Sequence, residues 1–368
     1  MLDFASALYL DMRHDDPSPM DGRPLTLGRP AALEEPPGAA RVGALLAGLQ
    51  GCEKALLMTS TLHLFWDVFE MLSRTPSAML VDGCAYPVSR WAMRLVSRRA
   101  CPVSGFGHHD LALLKALTRS AEAHGRRPVL VTDGYCGACG RVPPIREYAA
   151  LAEAVGGLLV VDDTQGLGVL GGSPGQSIPY GRGGGGALRW QGIAGPRIIV
   201  GASLAKAFGA PLAVVSGAEA FIEQLRNEGG TRVHCSPPSV AAVRAAEAAL
   251  RINARCGDAL RRTLLERVTH LREAMARAGL RACTAFPFPM QHFDAPPHVD
   301  TSTLCRRMFA QGVWSVPTQG GRRARLTFLV SVRHSARDID AAGRIVADVL
   351  STCAMRDRKE NRDEQATI

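Results

Sequence analysis

The chain has 368 residues, 46% of them hydrophobic, so it can bury a large core and is expected to form one major domain and a smaller one. It contains no run of about 20 apolar residues, and residues 1–5 do not resemble the start of a secretory signal; we therefore expect no membrane span and a cytoplasmic location. The net charge of +9 comes from scattered basic residues with only 5% aromatics, a pattern that argues against nucleic-acid binding.

The proline and glycine residues divide the chain into segments. Residues 1–42 carry Pro17, Pro24, Pro30, Pro36 and Pro37 and predict an N-terminal arm. From residue 43 to about 215, helical patterns alternate with short apolar runs, which predicts a mostly parallel sheet with crossover helices inside a large domain at 43–238. The glycine-rich stretch at 181–186 is interpreted as a mobile loop.

The remainder of the chain predicts a different architecture. Residues 239–279 are rich in Ala, Leu and Arg at helical spacing and predict long linking helices, which together with a small α+β domain fill 239–355. Residues 356–368 are highly charged and lack apolar anchors, so they predict a disordered tail.

Asp162 and Lys206 are the most informative residues. The apolar run 158–161 predicts a buried strand that ends at Asp162, on the sheet edge where ligands of open α/β sheets bind. Lys206 follows a second apolar run and lies among small residues. A Schiff-base lysine and a carboxylate that keeps a ring nitrogen protonated are what pyridoxal 5'-phosphate requires. Taken singly, such an Asp is more often a helix cap and such a Lys a solvated side chain.

Five segments resemble the α-oxoamine synthases. Residues 161–171, VDDTQGLGVLG, resemble the family segment VDDAHGLGVLG, and residues 203–206, SLAK, resemble its T-x-x-K motif. Residues 55–60, 132–145 and 234–238 resemble three further family segments. The resemblance implies an aspartate aminotransferase-like, fold-type I pyridoxal phosphate-dependent transferase. Such enzymes have a large domain with a mostly parallel sheet and a smaller α+β C-terminal domain.

The resemblance also implies roles for single residues. Lys206 would hold the cofactor and carry the α-proton, and Asp162 would pair with the pyridinium nitrogen. The cofactor phosphate would be bound by Ser60, Thr61, Leu62 and Ser203, and by His234 or Ser236 from the neighbouring subunit of a homodimer. Arg325, or Thr327 if the alignment shifts by two residues, would bind the substrate carboxylate.

Three residues around the expected ring position depart from the family. Tyr86 stands where the family has a stacking histidine, Gln165 replaces the histidine of DDAH, and Gly137 replaces a serine. A tyrosine can stack, but a phenol ordinarily has a pKa of about 10, and a glutamine carries no titratable proton.

These departures leave two reactions open. The first is decarboxylative condensation of an amino acid with an acyl thioester of coenzyme A or an acyl carrier protein. The second is transamination or another proton transfer at the amino-acid α-carbon. Lys206 and Asp162 argue against a cofactor-binding protein without catalysis.

The ten cysteines form no regular pattern apart from the pair Cys136 and Cys139 in a C-x-x-C spacing. One such pair is half of a zinc site or a redox pair. The alignment places both cysteines in a loop beside the cofactor, so we interpret them as reduced loop residues and predict no metal site.

Overall fold

The computed structural model describes residues 1–12, 25–96, 101–295, 300–320 and 323–365. The chain divides into two units. The large unit consists of Met12–Gly137 and Val142–Asp258, and the small unit of Met1–Asp11, Ala138–Arg141 and Ala259–Ile368. The domain limits predicted at 42, 238 and 355 stay predictions.

The strands, in chain order, are β1 (Leu2–Asp3), β2 (Lys54–Met58), β3 (Ser77–Asp82), β4 (Val103–Phe106), β5 (Arg127–Asp133), β6 (Leu158–Asp162), β7 (Ile198–Ser203), β8 (Ala213–Gly217), β9 (Met290–Asp294), β10 (Val313–Trp314), β11 (Val316–Gly320) and β12 (Arg323–Leu329). The helices are α1 (Ala39–Gln50), α2 (Thr61–Leu72), α3 (Pro87–Val96), α4 (Leu111–Ala123), α5 (Ile145–Ala154), α6 (Ala187–Gln191), α7 (Glu219–Glu228), α8 (Gly230–His234), α9 (Val240–Arg277), α10 (Thr301–Ala310) and α11 (Ala336–Gln365).

The large unit is built on a seven-stranded sheet in the order β2-β8-β7-β6-β5-β3-β4. Strands β7, β6, β5, β3 and β4 are mutually parallel, and β8 is antiparallel to both of its neighbours. Strands such as β3 and β6 bury nearly every residue, as expected where helices cover both faces of a sheet. The predicted mostly parallel sheet is confirmed, and its parallel strands end at one edge with Asp82, Asp133, Asp162 and Ser203.

Helix α2 packs closely on this sheet. Phe65 and Phe69 are fully buried in the main core with Val160 and Ile199, and their stacked rings lie 5.8 Å apart. A Cβ atom at Gly201 would lie 2.8 Å from Leu64 Cδ2, so only glycine lets α2 approach β7 this closely. The contact brings the N-terminal end of α2 next to the end of β7.

The glycine-rich stretch at 181–186 is packed, so its interpretation as a mobile loop is wrong. Gly183 receives a hydrogen bond from Asn253 (2.9 Å) and donates one to Asp258 (2.9 Å). A Cβ atom at Gly185 would lie 2.2 Å from the carbonyl oxygen of Leu49. The glycines serve close backbone packing, which composition alone does not distinguish from flexibility.

The small unit has the predicted α+β character. Strands β11, β12 and β9 form an antiparallel sheet, and β1 pairs with β10 in parallel. Phe4 stacks on His334 at 4.1 Å and meets Phe328 edge-on at 5.6 Å, which holds the first residues of the chain in the core of this unit. The predicted arm over 1–42 therefore includes a packed segment, and its residues 13–24 lie outside the described residues.

The second half of the chain contains two long helices. Helix α9 spans the predicted linking helices as one continuous helix, and Ser239 accepts a hydrogen bond from Ala242 N–H (3.1 Å) at its start. Helix α11 continues to Gln365, through most of the segment for which the charge pattern predicts disorder, because extending a helix that is already formed needs no new nucleation. Residues 366–368 lie outside the described residues. Among the described helices, none is long and apolar enough to cross a bilayer.

Candidate active site

Asp162 and Lys206 interact electrostatically near the ends of two adjacent strands of the large sheet: Asp162 ends β6, and the half-buried Lys206 lies three residues beyond β7. Asp162 is 6% exposed, and its carboxylate receives hydrogen bonds from the backbone and side chain of Thr164, the former at 3.1 Å. Burial raises the pKa of Asp162, whereas the hydrogen bonds from Thr164 and the positive charge of Lys206 act to lower it. Burial lowers the pKa of Lys206, whereas the negative charge of Asp162 acts to raise it. We call Asp162, Gln165, Ser203 and Lys206 the lysine region.

The backbone around Lys206 is fixed by short-range hydrogen bonds. Ser203 N–H donates to Thr164 Oγ1 (3.0 Å), which ties the end of β7 to the segment after β6. Gly209 N–H donates to the carbonyl of Lys206 (3.1 Å) in a turn that needs the positive φ of Gly209 (62°). A Cβ atom at Gly168 would lie 2.6 Å from Cβ of Ala207. The small residues noted in the sequence therefore allow the lysine loop to pack against the segment that carries Asp162 and Gln165.

The N-terminal end of α2 carries three of the predicted phosphate residues. Ser60 is the N-cap of the helix, and its hydroxyl accepts from His63 N–H at 3.4 Å and lies 2.8 Å from His63 Nδ1. Thr61 and Leu62 form the first turn, whose backbone N–H groups point out of the helix end. The structure adds His63, which sequence analysis missed because it lies three residues beyond the matched segment at 55–60.

The segment at 234–238 lies beside this helix end in the same chain. Thr59 Oγ1 donates to the carbonyl of Ser236 at 3.0 Å, while His234 ends the short helix α8 and is exposed. A small cavity of about 10 Å³ is lined by His63, Thr59, Ser236 and neighbouring residues. The structure thus brings Ser236 close to α2 of its own chain, and the contact of His234 or Ser236 with a neighbouring subunit stays a prediction.

Asp133, which sequence analysis missed, lies between Asp162 and Tyr86. It is the register partner of Asp162 across β5 and β6, and its Oδ1 accepts from Tyr86 N–H at 3.0 Å. Burial, with the negative charge of Asp162 next, raises the pKa of Asp133 well above its ordinary value. The Tyr86 side chain is 53% exposed, and Gln165 is half-buried.

Asp163 is a second carboxyl group that sequence analysis missed. It is buried, and three glycines lie close to its carboxylate oxygens. Its Oδ2 accepts from Ala187 N–H at 2.9 Å, and within the described part of the chain no group bonds to its Oδ1. A Cβ atom at Gly134, Gly166 or Gly186 would lie 2.2, 2.2 or 1.9 Å from its carboxylate oxygens. Burial, together with nearby Asp162, raises the pKa of Asp163 to about 8.

A further group of side chains gathers at the ends of β3, β4 and β5. Asp82 is 1% exposed, and its Oδ1 accepts from Cys84 N–H (2.8 Å) and lies 2.7 Å from His108 Nδ1. Burial acts to raise the pKa of Asp82, but the bonds to His108 and Cys84 hold it below its ordinary value. Cys84, one ring nitrogen of His108 and Cys136 place their ligand atoms within 4.8 Å of one another. We call Asp82, Cys84, His108 and Cys136 the thiol region.

Arg325, the predicted substrate residue, is on β12 of the small unit. Its Nε lies 3.2 Å from Asp294 Oδ1 across the sheet, and its Nη1 donates to the carbonyl of Ala138 at 3.1 Å. The alternative residue Thr327 is buried and hydrogen-bonded to His292 (2.8 Å) and Thr318 (2.6 Å) inside the sheet. Of the two, Arg325 has the partly exposed cationic side chain that a carboxylate needs.

Comparison with protein families and sequences adds independent information. The family model for aminotransferase class I and II matches residues 44–339. An 8-amino-7-oxononanoate synthase of Dechloromonas aromatica is 32% identical over 255 residues, with 67% of this chain and 62% of the relative covered. Those of Geobacter metallireducens and Halorhodospira halophila are 30% and 31% identical, with 75% and 80% of this chain and 66% and 70% of the relatives covered. The chain spans less than two thirds of the length of the first two relatives.

Solved structures agree on the fold. Serine palmitoyltransferase of Sphingomonas wittichii matches with a TM-score of 0.83 and 14% identity, covering 96% of this chain and 88% of that protein. The 8-amino-7-oxononanoate synthase of Francisella tularensis matches with a TM-score of 0.72 and 16% identity, covering 96% and 98%. At these identities the match concerns the fold alone, and it confirms the fold-type I prediction.

Proposed function

Because the chain belongs to the α-oxoamine synthase family within aminotransferase class I and II, we propose that it is a pyridoxal phosphate-dependent C-acyltransferase that condenses an amino acid with an acyl thioester. The observation that carries the proposal is the electrostatic interaction of the buried Asp162 with Lys206, in the segments that match the family motifs. Condensation is favoured over transamination because the named relatives are 8-amino-7-oxononanoate synthases.

The residues of the lysine region fit pyridoxal phosphate. A Schiff base forms from a neutral amine. Burial lowers the pKa of Lys206, which favours the neutral amine. Asp162 is a buried carboxylate that a protonated ring nitrogen would match in charge. The capped end of α2 offers backbone N–H groups to a phosphate, and the Ser203 hydroxyl lies on the adjacent strand end.

Each side chain then has a specific task. The bound cofactor supplies an electron sink for the carbanion that forms when the substrate α-proton is removed. Lys206 would hold the cofactor covalently and would move the substrate α-proton. Asp162, oriented by Thr164, would keep the ring nitrogen protonated, and Ser60, Thr61, Leu62 and Ser203 would bind the phosphate.

Tyr86 and Gln165 are proposed to occupy the positions of two family histidines. Tyr86 would stack on the cofactor ring, and Gln165 would hydrogen-bond its phenolic oxygen. Replacing Tyr86 with Phe should keep cofactor affinity, whereas Tyr86→Ala should weaken it, because stacking depends on the ring rather than the hydroxyl. If condensation is lost in the Phe variant while α-proton exchange continues, the phenol acts on the acyl group.

The substrates are proposed from charge and family. Arg325 would bind the amino-acid carboxylate, and the net charge of +9 favours an anionic acyl donor such as an acyl-coenzyme A or an acyl carrier protein. We further propose a homodimer in which His234 or Ser236 contributes to the phosphate site of the partner subunit. Sedimentation analysis of the active enzyme tests the dimer, and an active monomer would contradict it.

The function is tested with a panel of amino acids and acyl-coenzyme A donors. We expect free coenzyme A and carbon dioxide to be released together when the correct amino acid and acyl-coenzyme A are both present. Coenzyme A leaves as the new carbon–carbon bond forms, and the amino-acid carboxylate leaves as carbon dioxide. If the cofactor instead converts to its amine form without release of coenzyme A, the enzyme is an aminotransferase. Reactions with each substrate alone provide the control.

A further inference from the structure

Three neighbouring strands of the large sheet each bring one soft metal ligand to the same edge. Cys84 follows β3, His108 follows β4 and Cys136 follows β5, and these strands adjoin one another in the order β5-β3-β4. Their ligand atoms lie within 4.8 Å of one another. Ligand atoms around a tetrahedral zinc ion lie about 3.5 Å apart, so side-chain adjustments of about 1 Å would close the site.

Asp82 provides a second and independent observation. Its buried carboxylate lies 2.7 Å from His108 Nδ1 and accepts N–H groups from Cys84 and His109 at 2.8 and 3.2 Å. A carboxylate that accepts the Nδ1–H of a histidine fixes the ring tautomer, so that Nε2 is the ligating nitrogen. The same carboxylate also holds the backbone of Cys84, so it orients two of the three ligands.

Charge and access also suit a cation at this position. Two thiolates and a neutral imidazole would cancel the charge of a divalent ion, which reduces the cost of burying it. Cys136 is 1% exposed, whereas the side chain of His108 is 17% exposed and Cys84 is half-buried. The cluster is therefore partly accessible to solvent, which an ion needs in order to enter.

We propose that Cys84, His108 and Cys136 bind a zinc ion, with Asp82 as the residue that positions His108. Thiolate and imidazole ligands favour Zn²⁺ over Mg²⁺ or Ca²⁺. Three protein ligands leave a fourth position for water or a substrate oxygen, as in zinc sites that bind reactants. The site differs from the C-x-x-C pair considered from sequence, since it joins Cys136 to residues of two other strand ends. It does not depend on the proposed acyl transfer.

The test measures zinc content in the purified full-length protein. After treatment with a chelator and a reductant, the protein is dialysed against Zn²⁺ and its metal content is determined by mass spectrometry. We expect one zinc ion per chain, and with Co²⁺ in its place a thiolate-to-cobalt charge-transfer band. Cys84→Ser, Cys136→Ser and His108→Gln should each lose the ion, and Asp82→Asn should weaken Zn²⁺ affinity by about 10- to 100-fold.

Cys256→Ser is the matched control, because Cys256 lies on α9 and its thiol bonds to the carbonyl of Ile252. This variant should bind zinc like the parent, and circular dichroism establishes that each variant is folded. The proposal is overturned if the folded parent binds no zinc or shows no thiolate band with Co²⁺. It is also overturned if the Cys84 and Cys136 variants retain as much zinc as the control. A disulfide between Cys84 and Cys136 in the purified protein, with no zinc bound after its reduction, would overturn it as well. None of these outcomes bears on acyl transfer, which is assayed separately.

Discussion

The lysine region and the thiol region lie on the same edge of one sheet and both contain a buried aspartate at a strand end, yet their electrostatics differ. Burial raises the pKa of Asp162, against which Thr164 and Lys206 act. The pKa of Asp82 is lowered, because its bonds to His108 and Cys84 outweigh burial. Asp133, on the strand between them, has its pKa raised most clearly.

The difference shows that the groups around each carboxylate, and not its strand-end position, set the direction of its pKa shift. Asp82 has its partner within the chain, at 2.7 Å. In the proposed enzyme, Asp162 would gain its strongest partner, the pyridinium nitrogen, only with the cofactor. In that proposal Asp162 gains a cationic partner from the cofactor, while the Asp82 carboxylate already has a hydrogen-bond partner in His108.

The largest expected effect concerns the lysine. Lys206→Ala should abolish the absorbance of the lysine-bound cofactor and reduce turnover by about 100-fold or more, since a proton-transfer group and the covalent link are lost together. Lys115→Ala is the control, because Lys115 is exposed on α4. Absorbance spectra and product assays check both variants. An unaltered visible spectrum in the Lys206 variant would contradict the assignment of Lys206 as the residue that binds the cofactor.

The second prediction separates the two carboxyl groups that are register partners. Asp162→Asn should retain some cofactor but lose most activity, because an amide cannot stabilise the pyridinium proton. Asp133→Asn should lose much less, because an amide oxygen can still accept from Tyr86 N–H and the raised pKa of Asp133 favours the uncharged form that an amide resembles. Steady-state kinetics of the two variants check this prediction, and equal losses would contradict it.

The third prediction concerns the stability supplied by Asp82. Asp82→Asn should reduce the free energy of unfolding of the metal-free protein by about 1–3 kcal/mol near pH 7, the usual worth of a hydrogen bond to a charged group. Its folded pKa is lowered, so this stability is present above the ordinary pKa of about 3.9 and is lost as the pH falls through the folded value. Urea denaturation near pH 7 and in acid should therefore show that the free energies of unfolding of the two proteins become similar in acid. A constant difference would argue against the lowered pKa.

The fourth prediction concerns a pH slope in the opposite direction. The pKa of Asp163 is raised to about 8, so its stability contribution is complete below about pH 3.9 and is lost as the pH rises through the folded value. One such proton changes the free energy of unfolding by at most about 1.4 kcal/mol per pH unit. Asp163→Asn should remove this slope between about pH 4 and 8. Denaturation curves that fall with pH equally in both proteins would contradict the assignment.

The sequence signals that point to Asp162 and Lys206 are local. Lys206 and Asp162 each follow an apolar strand within a recognisable motif, and the structure brings them together as an interacting pair. The thiol region was missed, although β3 and β5 end in Asp82 and Asp133 after apolar runs like that of Asp162. The rule that singled out Asp162 at the end of β6 also applies to the ends of β3 and β5, where it would have indicated Asp82 and Asp133.

Other features depend on tertiary contacts that no local pattern contains. The meeting of Cys84, His108 and Cys136 follows from the strand order β5-β3-β4, which differs from the order of the strands in the chain. The enclosure of Asp163 depends on Gly134 and Gly186, which are distant in sequence. The glycine stretch at 181–186 was misinterpreted for the same reason, since packed and mobile glycine segments have the same composition.

The central claim, that Lys206 holds pyridoxal phosphate, is tested most directly by trapping the bond. The sequence contains only four lysines, Lys54, Lys115, Lys206 and Lys359, and Lys54 is paired with Glu219 and Glu223 at 2.8 and 2.7 Å. The protein is incubated with the cofactor, reduced with borohydride, digested and mapped by mass spectrometry. The account predicts one phosphopyridoxyl group per chain, on Lys206. A stable adduct on another lysine, or none on Lys206, would contradict it.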